Sequence, residues 1–548
     1  MGQRHQAYII ARVIPYGNFK TQHRCVSALH HQWCYGSLPL KAALRFMKLI
    51  KQKEHARVIL EEIKALNGKY GSHLEKTPLI PSVPCPFTSL LMKLAWSLNL
   101  DSANPEDMYL SRALDLDAFM KISEGDNNDG VTVINVSDPY SPSYSFVSSA
   151  CGGGKPITAE QYVRNYYPPG SEAWPTDFRA TQKDSSISES TGIMTTAPKE
   201  VPSLADLVLG PALEKSLRDN NQEELLRLLL PHIFDQILVI LRSHNPMLDG
   251  GVFLLSNILE GIKDKKIINL SGFHFSSQQV LSFIPIDAEL EVVDLSHNHA
   301  ADIEVIEQLL TRYRSLRRLV LLDTHIPEDD IVALLKTKPE LFYRIEAIVH
   351  PVFMKPLTST PIPSACTHIF ILTDHEAYST YHPPSCVGLP FFTPAQVLRA
   401  LLHYTKIIKE NLAYGISLEN GWTIALGAYA SESLRDGRNW GERIVPYVPS
   451  LLRLPDALKS IHGWNLFWAP SWCYSEIPYA FVKDGGNGSF QVYDVRGFFK
   501  ELELEGRPAV PQDELEVLFN EFAVVKKGQA VFRCFSEEEV HKHRMLTT

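Results

Sequence analysis

The apolar positions of the chain change rhythm several times. Residues 6–14 (QAYIIARVI) and 24–35 (RCVSALHHQWCY) are rich in β-branched and aromatic side chains. Pro15, Gly17 and Asn18 separate them, which predicts two strands joined by a turn. Leu40, Leu44, Met47 and Ile50 then recur at steps of three and four, the spacing of one helix face, and predict a helix over about 38–66. Residues 119–123 and 131–136 flank the Gly/Asn/Asp run 125–130 and read as a hairpin. That acidic turn is not a calcium loop, because Gly125 and Val136 stand where liganding Asp and Glu are needed. Residues 151–202 lose apolar period altogether. Gly152, Gly153, Gly154 and Lys155, the Pro168-Pro169-Gly170 step and the Ser/Thr run 185–196 predict a flexible linker or long surface loop, without the spacing of a phosphate-binding loop. Helical steps return from Leu204 through Leu225, Leu229, Ile233, Ile237 and Leu241, with a kink or break at Pro231, and continue over 253–262.

A repeat follows. Leu290, Val293, Leu295 and Asn298 fit the pattern LxxLxLxxN with Val293 as an apolar stand-in, and Leu316, Leu319, Leu321 and Thr324 fit it with Thr in the Asn slot. A weaker copy places Ile268 and Leu270 in these slots, and a fading one Ile345 and Ala347. The anchors Leu270, Leu295, Leu321 and Ala347 are 25, 26 and 26 residues apart, with helical steps such as Ile303, Ile306, Leu309 and Leu310 between them. Residues 263–350 thus resemble the leucine-rich repeat family, in the variety with an α-helix on its convex side. The resemblance implies a parallel sheet whose concave face is open to a partner, with the preceding helices capping the stack. Its central column would hold Asn269, Asp294, Val320 and Glu346, and Ser296, Arg318 and Leu322 would stand in the neighbouring columns.

After Pro351 strand and helix signals alternate again: a strand at 368–373, a helix at 394–408, a strand at 422–430, and a hairpin of 479–483 and 489–495 around the Gly/Asn/Asp run 484–488. This order echoes the N-terminal segment, so the two ends read as divergent copies, or as two halves of one α/β unit with the repeat inserted between them. Met1-Gly2-Gln3-Arg4, followed by the loop His31 to Gly36 and a helix, resembles a small uncharacterised bacterial family. In that family Met-Gly-Thr-Arg precedes a strand and a Trp-Asp-Gly-Tyr-Pro loop opens a helix. Here Cys34 stands in place of the Asp and Gly36 is displaced by one position. The family brings no activity with it.

Composition narrows the function classes. The 548 residues are too many for one core, and 45% hydrophobic with 21% charged residues excludes a mostly disordered chain. A net charge of -9 argues against a chain that coats nucleic acid. Residues 1–75, however, hold twelve Lys or Arg against four Glu, a local +8 that leaves -17 on the remainder. The eight cysteines form no CxxC pair and read as reduced thiols, which points to the cytoplasm or nucleus. Arg4, His5 and Arg12 interrupt the apolar core a secretory signal needs, and Gln6 stands where myristoylation wants Ser or Thr. The most apolar long stretch, 225–241, contains Arg227, Pro231, His232 and Asp235, so no membrane span is expected.

Three constellations offer chemistry. His31, Trp33 and Tyr35 lie in a polar-aromatic loop before a helix. Asp374 and His375 open a Pro-rich loop with acid-base residue types. Trp464, Trp468 and Trp472 are four apart, one face of a helix, downstream of the charged loop containing Arg435, Asp436 and Trp440. Together these could line a small-molecule pocket. His30 and Cys34 are too few for structural zinc, so neither metal nor cofactor is expected. No nucleophile elbow, HExxH, Walker lysine or Rossmann fingerprint is present. The fold class read from the sequence is α/β: a short helix-capped leucine-rich repeat flanked by mixed α/β domains. The segments are 1–150, the linker 151–202, the cap 203–262, the repeat 263–350, and an aromatic-rich 351–548. The function read with it is a non-catalytic intracellular scaffold or adaptor with a protein partner. The alternative is a hydrolase or transferase with an aromatic pocket between the terminal segments.

Overall fold

A computed structural model describes residues 4–17, 19–32, 34–70, 83–97, 113–116, 118, 128–147, 156–167, 204–227, 233–244, 247–260, 266–284, 289–354, 369–373, 386–411, 450–452, 463–468, 476–486, 489–523 and 531–546. The chain divides into two compact units: residues 1–187 with 351–548, and residues 188–350. All three sheets mix with helices and all contain parallel pairing.

The first sheet has the order β3-β2-β1-β4-β5-β6, from β1 (Arg4–Val13), β2 (Gln22–Gln32), β3 (Ala113–Leu116), β4 (Gly130–Asn135), β5 (Ser143–Val147) and β6 (Pro156–Ile157). β1 lies at its centre, antiparallel to β2 and parallel to β4. Ala7, Tyr8, Ile9 and Ala11 are buried on alternate faces, which is why the segment reads as an unbroken apolar run. The helix expected over 38–66 is two helices, α1 (Leu38–Ile50) and α2 (Lys53–Ala65), because Gln52 adopts an extended backbone and restarts the chain. They pack with α3 (Pro86–Ser97) around Phe46, Leu49, Ile59, Leu91 and Trp96. β4 pairs with β1 and β5; residues 119–123, its expected hairpin partner, lie outside the described residues. Part of the expected linker is ordered structure. β6 pairs with β5, and α4 (Ala159–Arg164) starts from a capping box in which Thr158 and Gln161 satisfy each other's backbone N–H groups.

The second unit begins with α5 (Leu204–Arg218), α6 (Gln222–Arg227), α7 (Phe234–Arg242) and α8 (Asp249–Glu260). Residues 228–232, with the expected break at Pro231, lie outside the described residues. Four short parallel strands follow in the order β10-β9-β8-β7: β7 (Ile267–Asn269), β8 (Val292–Asp294), β9 (Arg318–Val320) and β10 (Ala347–Val349). They alternate with α9 (Ser277–Phe283), α10 (Ile303–Arg312) and α11 (Glu328–Thr337). Ser276 and Asp302 cap α9 and α10 with their side chains, and Ser277 Oγ donates to Asp302 Oδ1 at 2.6 Å, joining successive repeats.

The third sheet has the order β13-β12-β11-β14-β15-β16, with β17 also paired to β15. After α12 (Pro351–Met354) come β11 (Ile369–Thr373), β12 (Cys386–Leu389), α13 (Pro394–Asn411), β13 (Ser450–Leu452), β14 (Gly463–Trp468), β15 (Glu476–Gly486) and β16 (Ser489–Tyr493). α14 (Val495–Leu504), α15 (Gln512–Ala523), β17 (Val531–Cys534) and α16 (Glu537–Leu546) complete it. β11 is antiparallel to β12 and parallel to β14, the pattern of β1 with β2 and β4. α2 touches α12, and α3 touches β13, within the same unit. The strand expected over 422–430 lies outside the described residues.

Candidate functional site

The parallel sheet of the second unit carries the residues expected to meet a partner. Its register sets the columns Ile267, Val292, Arg318, Ala347 and Asn269, Asp294, Val320, Val349. Val349, not Glu346, therefore completes the central column. The extra residues are taken up by a 3-10 turn, Pro339–Phe342, which lengthens the last repeat. Glu346 N–H instead donates to Arg317 O, and Arg317 and Glu291 bond back to Lys266 in the same way, so Glu346 belongs to the column Lys266, Glu291, Arg317. That column alternates in sign, and Lys266 Nζ meets Glu291 Oε1 at 2.7 Å.

Access to this face is uneven. Asn269 is exposed, and Ile267 beside it on the outermost strand is 57% exposed. Asp294, Ser296, Arg318, Val320 and Leu322 are buried and Glu346 is half-buried. Two of the polar positions have local work. Asn269 Oδ1 accepts from Ser271 N–H, and Asp294 Oδ1 from Ser296 N–H, each at 2.9 Å, closing the turn after its strand. Burial lowers the pKa of Arg318 while the nearby Glu346 carboxylate raises it.

Beyond each of the first three strands the chain turns through a left-handed residue: Gly272 (φ 80°), His297 (φ 60°) and Asp323 (φ 53°) occupy the same place in successive repeats. Two residues later each repeat carries a histidine. The rings of His274 and His299 are 5.5 Å apart, and those of His299 and His325 stack at 4.2 Å and 7°. His297 Nδ1 lies 2.8 Å and His299 Nε2 3.6 Å from Asp323 Oδ2. Burial is the largest single influence and raises the Asp323 carboxyl, but the hydrogen bonds and charges of His297 and His299 together outweigh it and hold it below its ordinary value. Burial, then His299, lowers His274. Among the described residues no group of three or more His, Cys, Asp or Glu is arranged to hold a metal ion. The histidine rim was missed from sequence, although His274, His299 and His325 recur at the repeat spacing of 25 and 26 residues.

The expected aromatic pocket is placed only in part. Trp33, Asp374, His375, Arg435, Asp436 and Trp440 lie outside the described residues. His31 is buried, with Nε2 2.9 Å from Trp96 O, and Tyr35 is exposed. Trp464 and Trp468 stand on strand β14, not on a helix. Trp464 is buried against Phe498 at 4.8 Å, its indole N–H donating to Glu505 Oε1 at 3.1 Å.

A buried polar cluster in the first sheet went unread. His5 Nε2 lies 2.7 Å from Thr132 Oγ1, and His5 Nδ1 3.5 Å from Asp129 Oδ2, which also accepts from the Tyr162 hydroxyl at 2.6 Å. Burial lowers the His5 pKa, with Asp129 pulling the other way. Cys34 is also buried, and desolvation and the Asp129 charge push its thiol well up, the opposite of an activated nucleophile. The cluster ties β1, β4 and α4 together. No protein-family model, curated protein or solved structure matches the chain.

Proposed function

We propose that the chain is a non-catalytic scaffold or adaptor of the cytoplasm or nucleus, binding a protein through a short leucine-rich repeat. Parallel strands alternating with helices, with a left-handed turn recurring at Gly272, His297 and Asp323, support the repeat reading. The observation that carries the binding reading is the outermost strand, where Ile267 stands 57% exposed beside exposed Asn269. An apolar side chain next to a hydrogen-bonding one on an open strand suits a protein partner. The contact surface is thus shifted from the whole concave face to strand β7. Among the described residues, Cys25, Cys34, Cys85 and Cys534 form no disulfide, in keeping with a reducing compartment. Among the described residues no helix is long and apolar enough to cross a membrane. The enzyme alternative gains nothing from His31 and Trp464, both buried.

The test compares wild type with an Ile267→Asp/Asn269→Arg variant as baits in cell extract, after matching their melting temperatures. A protein retained by wild type and lost by the variant, then reconstituted from purified components, is the expected result. Identical recoveries with both baits would remove β7 as the binding surface.

A further inference from the structure

One end of the first sheet gathers exposed aromatic and basic side chains on braced loops. Because β1 and β4 are parallel, the chain leaving β1 at 14–17 and the β4–β5 turn at 136–142 emerge from the same end. Phe19 is 99% exposed, Tyr16 53% and Tyr140 47%. These loops are held in place by hydrogen bonds. Ile14 N–H donates to Asn67 Oδ1 at 2.8 Å, Gly68 N–H to Ile14 O at 2.7 Å, and Arg12 N–H to Ser137 Oγ at 2.9 Å. The Tyr70 hydroxyl, next to that turn, donates to Cys25 O. Arg12 and Lys20 are exposed here, with Lys64 on the last turn of α2. Asp138 also stands here and accepts from Tyr140 N–H at 3.1 Å, and Glu61 pairs with Lys64 at 2.6 Å.

We infer that this end of the molecule docks on an anionic phospholipid surface, with Phe19 entering the headgroup region, Tyr16 and Tyr140 at its level, and Arg12 and Lys20 facing lipid charge. Single exposed apolar residues are ordinary. Three aromatic rings on neighbouring loops beside cations match how side chains sit at a lipid interface. Charge favours this occupant as well. Arg12, Lys20 and Lys64 stand at this end against Asp138 and Glu61, a local excess of positive charge that suits an anionic surface. Shape separates lipid from single-stranded nucleic acid: Phe19 stands on a projecting turn, whereas strand-tracking sites are grooves.

The test is co-sedimentation of the full chain with vesicles of phosphatidylcholine alone and of phosphatidylcholine with phosphatidylserine. Binding is expected only to the mixed vesicles and should fall as salt rises. Phe19→Ser and Lys20→Glu each change a side chain on an exposed turn, so melting temperatures should stay at the wild-type value. Each should cut vesicle partitioning by about fivefold or more. Absence of wild-type sedimentation, equal binding to both vesicle types, or unchanged partitioning of both variants would overturn the assignment. So would a single-stranded RNA that binds the chain and loses affinity in the same two variants.

Discussion

Val320→Glu tests whether this face of the four-stranded parallel sheet is closed. Val320 is fully buried at the middle of the four-stranded sheet, between Asp294 on β8 and Val349 on β10. Removing its burial costs about 1.5–3 kcal/mol. A carboxyl placed there beside buried Asp294 must stay neutral or ionise without water, and holding a Glu neutral at pH 7 costs roughly 3–4 kcal/mol. Arg318 lies two residues away on the same face, and one charge-assisted hydrogen bond to it would return about 2 kcal/mol. The net loss is about 2.5–5 kcal/mol, a large share of the stability of a typical domain. Ile267→Glu, at the open strand of the same sheet, should cost no more than about 1 kcal/mol. All eight tryptophans lie outside residues 188–350, so indole fluorescence follows only the other unit. Amide hydrogen exchange of residues 266–350 in rising urea is the suitable assay. Val320→Glu should lose protection at much lower urea than wild type, and Ile267→Glu close to it. Equal midpoints for Val320→Glu and wild type would mean that Val320 faces water, and the narrowing of the binding surface to β7 would fail.

Glu62 accepts hydrogen bonds from Phe87 N–H, Thr88 N–H and the Thr88 hydroxyl at the start of α3, yet burial pushes its pKa up to about 7. A carboxyl raised in the folded state favours folding below its unfolded pKa of about 4.5 and loses that advantage as pH rises through about 7. Wild type should lose roughly 3 kcal/mol of stability across that window, and Glu62→Gln should flatten the slope in urea midpoints; an unchanged slope would assign it to other groups. Gly272→Ala puts a Cβ 3.2 Å from Arg242 Cδ at φ 80° and should lower stability by about 1–2 kcal/mol in the same exchange assay; no change would mean that the turn is not left-handed. Tyr162→Phe strips a donor from buried Asp129 and should cost about 1–3 kcal/mol by calorimetry. Adding Asp129→Asn should recover part of that loss, and strictly additive losses would show that the hydroxyl and carboxylate do not act as a pair.

Legibility in the sequence tracked the length over which a pattern persists. β1, β2 and the anchors Leu270, Leu295 and Leu321 were readable because period and turn residues agree over many positions. The last repeat was phased wrongly, since a 3-10 turn adds three residues and the weak anchors Ile345 and Ala347 gave no means to detect it. The Trp464 and Trp468 spacing of four was ambiguous in principle: it shares one face in a strand as well as in a helix. β6 and α4 are too short for a periodic signal, although the Thr158 to Gln161 capping box was there to be read. Which residues of the parallel sheet are accessible was not legible at all. Burial of Val320 or Arg318 depends on residues outside its own strand, the flanking β8 and β10 among them, and local pattern holds no record of it.

The buried cluster around His5 gains meaning from the third sheet. Both mixed sheets place their strands in the same order, with the first strand antiparallel to the second and parallel to the fourth, and a helix after the second strand. After the sixth strand, each starts a helix at a side-chain N-cap, Thr158 in one and Asp494 in the other. Four residues past that cap, each helix stacks a ring on an aromatic residue of the fifth strand. Tyr162 lies on Phe146 at 4.4 Å and 10°, and Phe498 on Phe481 at 3.9 Å and 14°. The stacked pair is therefore the element common to both sheets, and a phenyl ring is enough to hold the helix. The Tyr162 hydroxyl and its bond to Asp129 are what the first sheet adds, and in the other sheet the buried indole of Trp464 packs edge-on against Phe498. Stability alone does not call for the Tyr162–Asp129 bond, since the other sheet holds its stacked Phe498 ring without a hydroxyl. Its effect is positional: the contacts of His5 with Thr132 and Asp129 and of Tyr162 with Asp129 fix β1, β4 and α4 in one arrangement.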